Sequence, residues 1–222
     1  MSLGLAVFSL PTNVARCVTD FLFNPLQGAD ANRISNWIPA QVDASLPGAG
    51  STLASLLGSA EPVLDPAQPL HQIALLPKAS LTSLARRIAL DTLNWALRQV
   101  VRREDLERLD TLVTQQDWNH VYEAAATQPT AQRRLGDVQI LIDDLQRVGW
   151  HLLEQVCESA PRPVGLRLLL KCPSVEPPRL VAAESADGWV IDRVTGSYRS
   201  WVTAEHPDWE ASLRTLASVR RR

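Results

Sequence analysis

The sequence predicts a mainly α-helical protein, a helical bundle domain with room for one small β-hairpin near the C-terminus. Three observations support this fold class. Strong helix formers dominate from Leu81 to Cys157. The stretch from Leu135 to Val156 repeats apolar residues three and four positions apart. The 222 residues, 45% of them hydrophobic, can bury a sizeable core. We expect one domain, in which a helical and loop-rich region of residues 1–70 packs on a helical core of residues 71–222.

The N-terminal region should contain two short helices followed by a connector. The first is expected over Thr12–Phe23 and the second over Ala31–Ile38, and each ends before a proline. Residues 45–69 are rich in Gly, Pro, Ser and Ala, a composition that marks a loop or a loosely packed linker. The side of the first helix that should face the core carries Val14, Val18, Phe21 and Leu22.

Three to four helices should build the core. We predict one helix from about Ser80 to Arg103, one or two shorter helices between Glu104 and Thr127, and a long helix from Ala131 to Glu158. Thr130 is a suitable N-cap for the long helix, since a threonine side chain can accept a hydrogen bond from a free N–H group of the first turn.

The long helix has the most regular apolar pattern in the chain, and that pattern asks for a helical partner along its whole length. An intramolecular bundle is favoured over a coiled coil between chains, because strong seams usually pack within their own domain. Gly149 lies in the seam. It lowers helix propensity, but it would let the backbone of a neighbouring helix approach closely. The seam consists of Leu135, Val138, Ile142, Leu145, Gly149, Leu152 and Val156.

Prolines crowd the chain after Cys157. The apolar run at 164–171 is too short for periodicity to assign it to a strand or a helix. Residues 188–192 and 198–202 flank a Val-Thr-Gly-Ser sequence that suits the turn of a β-hairpin. A final helix is expected over Asp208–Arg220, and its apolar face carries Trp209, Leu213 and Leu216.

Charge and cysteine content favour a soluble cytoplasmic protein. A formal net charge of −2 gives no general attraction to nucleic acid or to anionic membranes. No segment approaches the roughly 18 uninterrupted apolar residues of a membrane span, so no membrane insertion is expected. The three cysteines, Cys17, Cys157 and Cys172, are widely spaced and odd in number, which favours reduced thiols.

The stretch from Leu84 to Leu109, LARRIALDTLNWALRQVVRREDLERL, combines six arginines with two apolar strips. A helix that is apolar on two sides should be mostly interior. Arg87 and Asp91 stand four residues apart and can form an ion pair. The strips consist of Leu84, Ile88 and Trp95 on one side and Ala89, Leu90, Leu93, Leu97, Val100 and Val101 on the other. The polar line between them consists of Arg87, Asp91, Asn94, Arg98 and Arg102.

The charge pattern of this stretch argues against nucleic-acid binding. From Leu84 to Asp110 the six arginines accompany five acidic residues, which leaves a net charge of +1. Arg102 and Arg103 should close one helix, and Glu104 and Asp105 should open the next, as the helix dipole prefers at each end. A DNA-binding helix-turn-helix would need an exposed basic second helix, so no nucleic-acid partner is expected.

No reactive constellation stands out in the sequence. The four histidines are scattered and lack the spacing of a zinc site, and no nucleotide-binding loop or nucleophile elbow occurs. Asp143 and Asp144 are adjacent, so on a helix they diverge by about 100°. We therefore expect a non-enzymatic binding module with no catalytic residue, metal or cofactor. Its candidate protein-interface residues are Arg87, Asp91, Arg98, Arg102 and an exposed Trp118.

A phrase of apolar residues and arginines runs through Leu76-Pro77, Leu81, Leu84, Arg87-Ile88-Ala89-Leu90, Leu97-Arg98 and Arg103-Glu104-Asp105-Leu106 with Leu109. With this phrase, the segment Leu75–Leu109 resembles the YscK/SctK family, the Yop translocation protein K-like component of bacterial type III secretion systems. A weaker similarity to the family is Gly149, followed by the proline-rich break and the segment from Leu166 to Pro173. The likeness covers roughly residues 70–175. Ala89 departs from the pattern, since family members often have glycine there.

The resemblance implies a non-enzymatic cytoplasmic adaptor of the type III secretion sorting platform. Such an adaptor joins the cytoplasmic domains of the SctD-type inner-membrane ring protein to the SctQ-type pod protein, at the cytoplasmic face of the inner membrane. We expect the isolated protein to be a monomer. The alternative is a type III secretion chaperone or a gatekeeper-like regulatory helical protein, which would need an exposed apolar groove or a dimer interface.

Overall fold

The computed structural model describes residues 10–24, 26–37, 64–124, 135–181 and 187–220. Regular secondary structure in these ranges is entirely α-helical, as the fold class predicts. The ten helices of these ranges are α1 (Thr12–Phe23), α2 (Ala31–Trp37), α3 (Pro69–Leu75), α4 (Lys78–Leu97), α5 (Arg103–Leu109), α6 (Gln115–Glu123), α7 (Val138–Ser159), α8 (Arg162–Lys171), α9 (Asp187–Glu205) and α10 (Pro207–Arg220). None of these ten is long and apolar enough to cross a membrane.

Helices α4 and α7 form the centre of the bundle and approach each other closely at Gly149. A Cβ atom built on Gly149 would lie 1.7 Å from the carbonyl oxygen of Ala85 in α4. Ordinary contact at a Cβ begins near 3.4 Å, so only glycine fits this crossing. The prediction that Gly149 allows a close backbone approach is confirmed.

Helix α7 is covered by helices of its own chain, namely α4, α8 and α9. The predicted seam is too narrow, because Leu141 and Val148 are fully buried while Ile142 and Leu145 are only partly buried. A helix with neighbours on more than one side buries a wider stripe than a two-position seam. The periodicity is therefore right, and the buried side is broader than the pattern indicates.

Helix α7 begins later than predicted, at Val138, and Leu135–Asp137 are not helical. Asp137 is the N-cap, and its carboxylate accepts a hydrogen bond from the backbone N–H of Gln139 at 2.8 Å. Aspartate is among the best N-caps, so a carboxylate just before the apolar repeat sets the start of the helix. Thr130, the predicted cap, lies outside the described residues.

The predicted β-hairpin is wrong, because residues 188–202 lie inside the single helix α9. Their apolar side chains recur three and four positions apart, so a helix places them all on one side, whereas a hairpin would divide them between two faces. Burial against α3, α4 and α7 outweighs the local preference for strand and turn. The buried members are Val190, Val194, Tyr198, Trp201 and Val202.

The short helices near both ends of the chain agree with the sequence. Helix α1 has the predicted bounds, and α10 begins one residue earlier than predicted. The apolar run at 164–171, left open between strand and helix, belongs to α8. The predicted inward side chains Val14, Val18, Phe21, Trp209, Leu213 and Leu216 are all buried.

Two buried cations of α8 join the N-terminal helices to the core. The Arg167 Nε atom donates to the carbonyl oxygen of Phe21 at 2.9 Å, and the guanidinium lies over the Phe21 ring. The Lys171 ammonium donates to the carbonyl oxygens of Ala74 and Leu76 at 2.8 and 2.9 Å, just where α3 ends. Burial lowers the pKa of Lys171 to about 8. Both cations thus satisfy carbonyl groups that helix ends leave free.

A buried carboxylate of α7 fixes the proline-rich segment at 172–181. Asp144 is fully buried, and its oxygens accept hydrogen bonds from the backbone N–H groups of Arg179 and Leu180 at 2.6 to 3.1 Å. Asp143 instead accepts from Gln139 at the more exposed side of the helix. The two adjacent aspartates diverge, as their spacing predicts.

The three cysteines are free, and tertiary packing brings two of them together. The Cys157 thiol in α7 donates to the carbonyl oxygen of Leu153 at 3.1 Å. The neighbouring Cys172 thiol after α8, together with burial, raises the pKa of Cys157 far above its usual range. Thiols with raised pKa values are poor nucleophiles. This pair is therefore part of the α7–α8 packing.

Candidate functional site

The arginine-rich stretch is divided between two helices at a different place from the prediction. Helix α4 ends at Leu97, and Arg102 and Arg103 stand at the start of α5 instead of the end of α4. Glu104 and Asp105 lie in the first turn of α5, as predicted. The consecutive β-branched residues at 100 and 101 favour helix less than their neighbours do, and the chain turns there.

Arg87 and Asp91 belong to a polar cluster at the junction of α4, α6 and α9. The predicted pair is present, with Arg87 Nε 3.8 Å from Asp91 Oδ1. The ring of His120 in α6 contacts the same carboxylate oxygen through Nε2 at 2.5 Å. The hydroxyl of Ser197 in α9 donates to Asp91 Oδ2 at 2.6 Å, and Arg87 also donates to the Ser200 hydroxyl at 3.1 Å. One carboxylate therefore joins three helices.

This cluster contains a serine, a histidine and an aspartate, but not in the order of a catalytic relay. In a relay the histidine contacts the serine and removes its proton. Here Asp91 lies between them, and both Ser197 and His120 bond to its carboxylate. Because a carboxylate only accepts hydrogen bonds, His120 Nε2 carries a proton in this contact. The arrangement fits a structural junction.

A shallow cavity of about 270 Å³ opens beside the junction, between Asp91 and the outer side of α9. The guanidinium of Arg193 lies 5.7 Å from the centre of the Trp189 ring. Burial lowers the pKa of Arg193, and the charge of Asp91 acts against that shift. Asp192, Gly196 and Ser197 also line the cavity.

Arg98 caps the C-terminus of α6. Its guanidinium donates to the carbonyl oxygens of Val121, Tyr122 and Ala124. Asn94, one turn earlier on α4, donates to the same Val121 oxygen at 3.1 Å. The last carbonyl groups of a helix lack partners within the helix, and an arginine can satisfy several at once. Arg98 is thus bonded inside the protein, and it does not reach Asp91.

Trp118 is buried, so its predicted exposure is wrong. Its side chain is 7% exposed, and its ring nitrogen donates to the Asp110 carboxylate at 3.2 Å. The ring stacks on Tyr122 with a centroid separation of 5.9 Å. Helix α6 turns Trp118 and Val121 towards the core and leaves Tyr122 62% exposed. The segment is a regular helix, with a capping box at Thr114 and Asp117. The side of this helix that packs on the core buries Trp118, and the Tyr122 ring stays exposed.

Arg102 remains on the surface. In the described part of the chain it takes part in no ion pair or side-chain hydrogen bond, and its neighbour Val101 is 82% exposed. Val101 was assigned to an interior strip of a continuous helix. That assignment fails because α4 ends four residues before it.

The sequence missed His120, Ser197, Val101 and Tyr122. No local signal could have placed Ser197, because its contact with Asp91 spans 106 positions. Tyr122 is four residues after Trp118, so helical spacing alone places the two rings next to each other and does not show which of them is exposed. Among the residues described, no three His, Cys, Asp or Glu side chains come together in a way that could hold a metal ion.

No family model, curated protein or solved structure matches the chain.

Proposed function

We propose that the protein is a non-enzymatic adaptor of the bacterial type III secretion sorting platform. In this role it links the cytoplasmic domains of the SctD-type ring protein to the SctQ-type pod protein, at the cytoplasmic face of the inner membrane. The observation that carries the proposal is the resemblance of Leu75–Leu109 to the YscK/SctK family. In the fold this stretch forms the end of α3, all of α4 and α5.

The internal bonding of α4 is compatible with an adaptor that must hold two partners at a fixed separation. Asp91 joins α4 to α6 and α9, and Arg98 fixes the end of α6. A body that is already rigid loses less conformational entropy when it binds. Asp91 and Arg98, two members of the polar line predicted as a contact surface, therefore support the proposal indirectly, because they rigidify the body. Arg102, another member of that line, is exposed.

The test is cross-linking and co-purification from the native cell. The full chain carries an affinity tag at its own locus, and proteins cross-linked to it are identified by mass spectrometry. The expected result is enrichment of the SctQ-type and SctD-type proteins over an untagged control, together with loss of secretion when the gene is deleted. Absence of both proteins, with secretion intact after deletion, contradicts the proposal.

The same material separates the adaptor from the chaperone or gatekeeper alternative. An adaptor of this kind should elute as a monomer when purified alone, and its complexes should lack exported proteins. A chaperone should instead form a dimer or carry an exported protein in stoichiometric amounts. Solution mass by multi-angle light scattering distinguishes these outcomes.

A further inference from the structure

Two exposed apolar side chains lie at the same end of the molecule. Among the described residues, the large apolar side chains that are exposed are Phe23, Val101 and Tyr122, at 70%, 82% and 62%. Arg98, three residues before Val101, donates to the carbonyl oxygen of Tyr122 at 3.1 Å. The ends of α4 and α6 are therefore adjacent, and they bring Val101 and Tyr122 to one end of the bundle.

The Tyr122 ring is held in place although it is exposed. One of its faces stacks on Trp118, with an angle of 22° between the planes, and Trp118 is itself fixed by Asp110. The backbone at Tyr122 and Ala124 is bound by the Arg98 guanidinium. An exposed aromatic ring that is already ordered costs little entropy on binding, which is the property of residues that dominate protein interfaces.

Arg102 adds a positive charge beside Val101 that is exposed and has no ion-pair partner among the described residues. The other five arginines of the 84–109 stretch are bonded within the protein: Arg86 to Asp117 and Leu112, Arg87 to Asp91 and Ser200, Arg98 to the end of α6, Arg103 to Glu107, and Arg108 to Asp105 and Gln139. Arg102 is exposed and lacks such a partner among the described residues. A guanidinium in this state is suited to a carboxylate supplied from outside.

The chain's own segment at 125–134 cannot supply that carboxylate. The described residues that flank it lie beside Arg98 and Gln99, since Arg98 binds the carbonyl oxygen of Ala124 and the Gln99 side chain accepts from the N–H of Leu135 at 3.0 Å. Its sequence, AATQPTAQRR, contains two arginines and no acidic residue. Charge therefore favours a partner that is acidic over this basic segment.

We propose that Val101, Arg102 and Tyr122, hereafter the α4–α6 end surface, bind a partner protein that presents a carboxylate beside apolar side chains. Val101 and Tyr122 bury the apolar side chains, and Arg102 pairs with the carboxylate. This inference rests on the proposed adaptor function, and it assigns one contact of the sorting platform to this end of the bundle.

The test uses the full chain and the purified SctQ-type and SctD-type proteins of the same organism. Binding of each protein is measured by biolayer interferometry for the wild type and for Arg102→Glu, Val101→Ser and Tyr122→Ala. Arg103→Glu is the matched control, because Arg103 is adjacent, exposed and changes charge equally but pairs with Glu107. Far-UV circular dichroism and the urea midpoint check that each variant is folded.

We expect Arg102→Glu to weaken binding of one of the two proteins about tenfold or more, and Arg103→Glu to weaken it about twofold or less. Raising the salt concentration should weaken the wild type more than it weakens Arg102→Glu. Wild-type binding that survives all three substitutions overturns the surface assignment and leaves the adaptor proposal standing. Failure of the wild type to bind either protein overturns both.

Discussion

Replacing Gly149 by alanine should destabilise the protein, although alanine is the better helix former by about 1 kcal/mol. The new Cβ would lie 1.7 Å from the carbonyl oxygen of Ala85 and 2.4 Å from its carbonyl carbon. Both atoms are backbone, so no rotamer change can relieve the contact. Helices α4 and α7 must move apart by about 1.7 Å to restore ordinary separation near 3.4 Å.

The expected loss is about 2 kcal/mol of unfolding free energy. A radial gap of about 0.5–1 Å already forfeits between a quarter and a half of the dispersion energy of a contact. Overpacking a core costs about 1–3 kcal/mol, and a rigid backbone contact belongs at the upper end of that range. Subtracting the gain of about 1 kcal/mol in helix propensity leaves the net value. For a chain of this size, that loss lowers the Tm by about 4–8 °C.

Urea unfolding followed by far-UV circular dichroism measures the effect, and Gly196→Ala is the matched control. Gly196 lies in helix α9, is exposed, and has no atom within 4 Å of an added Cβ. That variant should gain about 0.5–1 kcal/mol. The reasoning is refuted if Gly149→Ala is as stable as the wild type, or if both variants become more stable.

Three further changes test polar groups that are buried or partly buried. The folded-state pKa of Lys171, about 8, lies below its usual 10.5, so the unfolded chain holds the proton more tightly between these values. The stability of the wild type relative to Lys171→Met should therefore rise as pH increases from about 8 to 10.5, and equal slopes in the two urea series would contradict this. Asp144→Ala should cost about 1–3 kcal/mol and speed amide hydrogen exchange at residues 179 and 180; unchanged exchange would refute the anchoring role. Asp91→Ala should cost about 2 kcal/mol, and a double-mutant cycle with Ser197→Ala should give coupling of about 0.5 kcal/mol or more, whereas simple additivity would show that the contact contributes nothing.

Several elements could be predicted because their information is local. Helix α1 has the predicted bounds, and its inward residues follow the helical period. Gly149 was expected to permit a close approach, since a glycine that interrupts an otherwise strong helical seam is costly unless it has a packing role. Which atom would meet it, the Ala85 oxygen, depends on the crossing of two helices and could not be read from the sequence.

The failures occur where local signals are weak and distant contacts decide. The segment 188–202 has strand-forming residues around a Gly-Ser pair, yet it packs as a helix because that places its apolar residues on one side. The end of α4 at Leu97 moved Val101 from the predicted interior to the surface. Trp118 moved the other way, because the apolar side of α6 faces the core.

The candidate site likewise combines a local contact, which could be predicted, with distant contacts, which could not. The Arg87–Asp91 pair follows from a spacing of four residues on a helix and was predicted. Two further partners of Asp91, His120 and Ser197, lie 29 and 106 positions away, on α6 and α9. Arg98 is a predicted protein-interface candidate, but its guanidinium binds the end of α6. Its role depends on where α6 ends in space.

By itself, the sequence determined the helical class, the inward faces of the terminal helices, the glycine at the central crossing and one ion pair. Each of these depends on residues within about two helical turns, where spacing alone fixes the geometry. Only the tertiary structure decided which arginines of the 84–109 stretch are bonded to other described residues, and that Arg102 is not. A hydrogen bond needs its two atoms within about 3 Å, and the bundle brings Arg98 to the carbonyl groups of α6 while leaving Arg102 exposed.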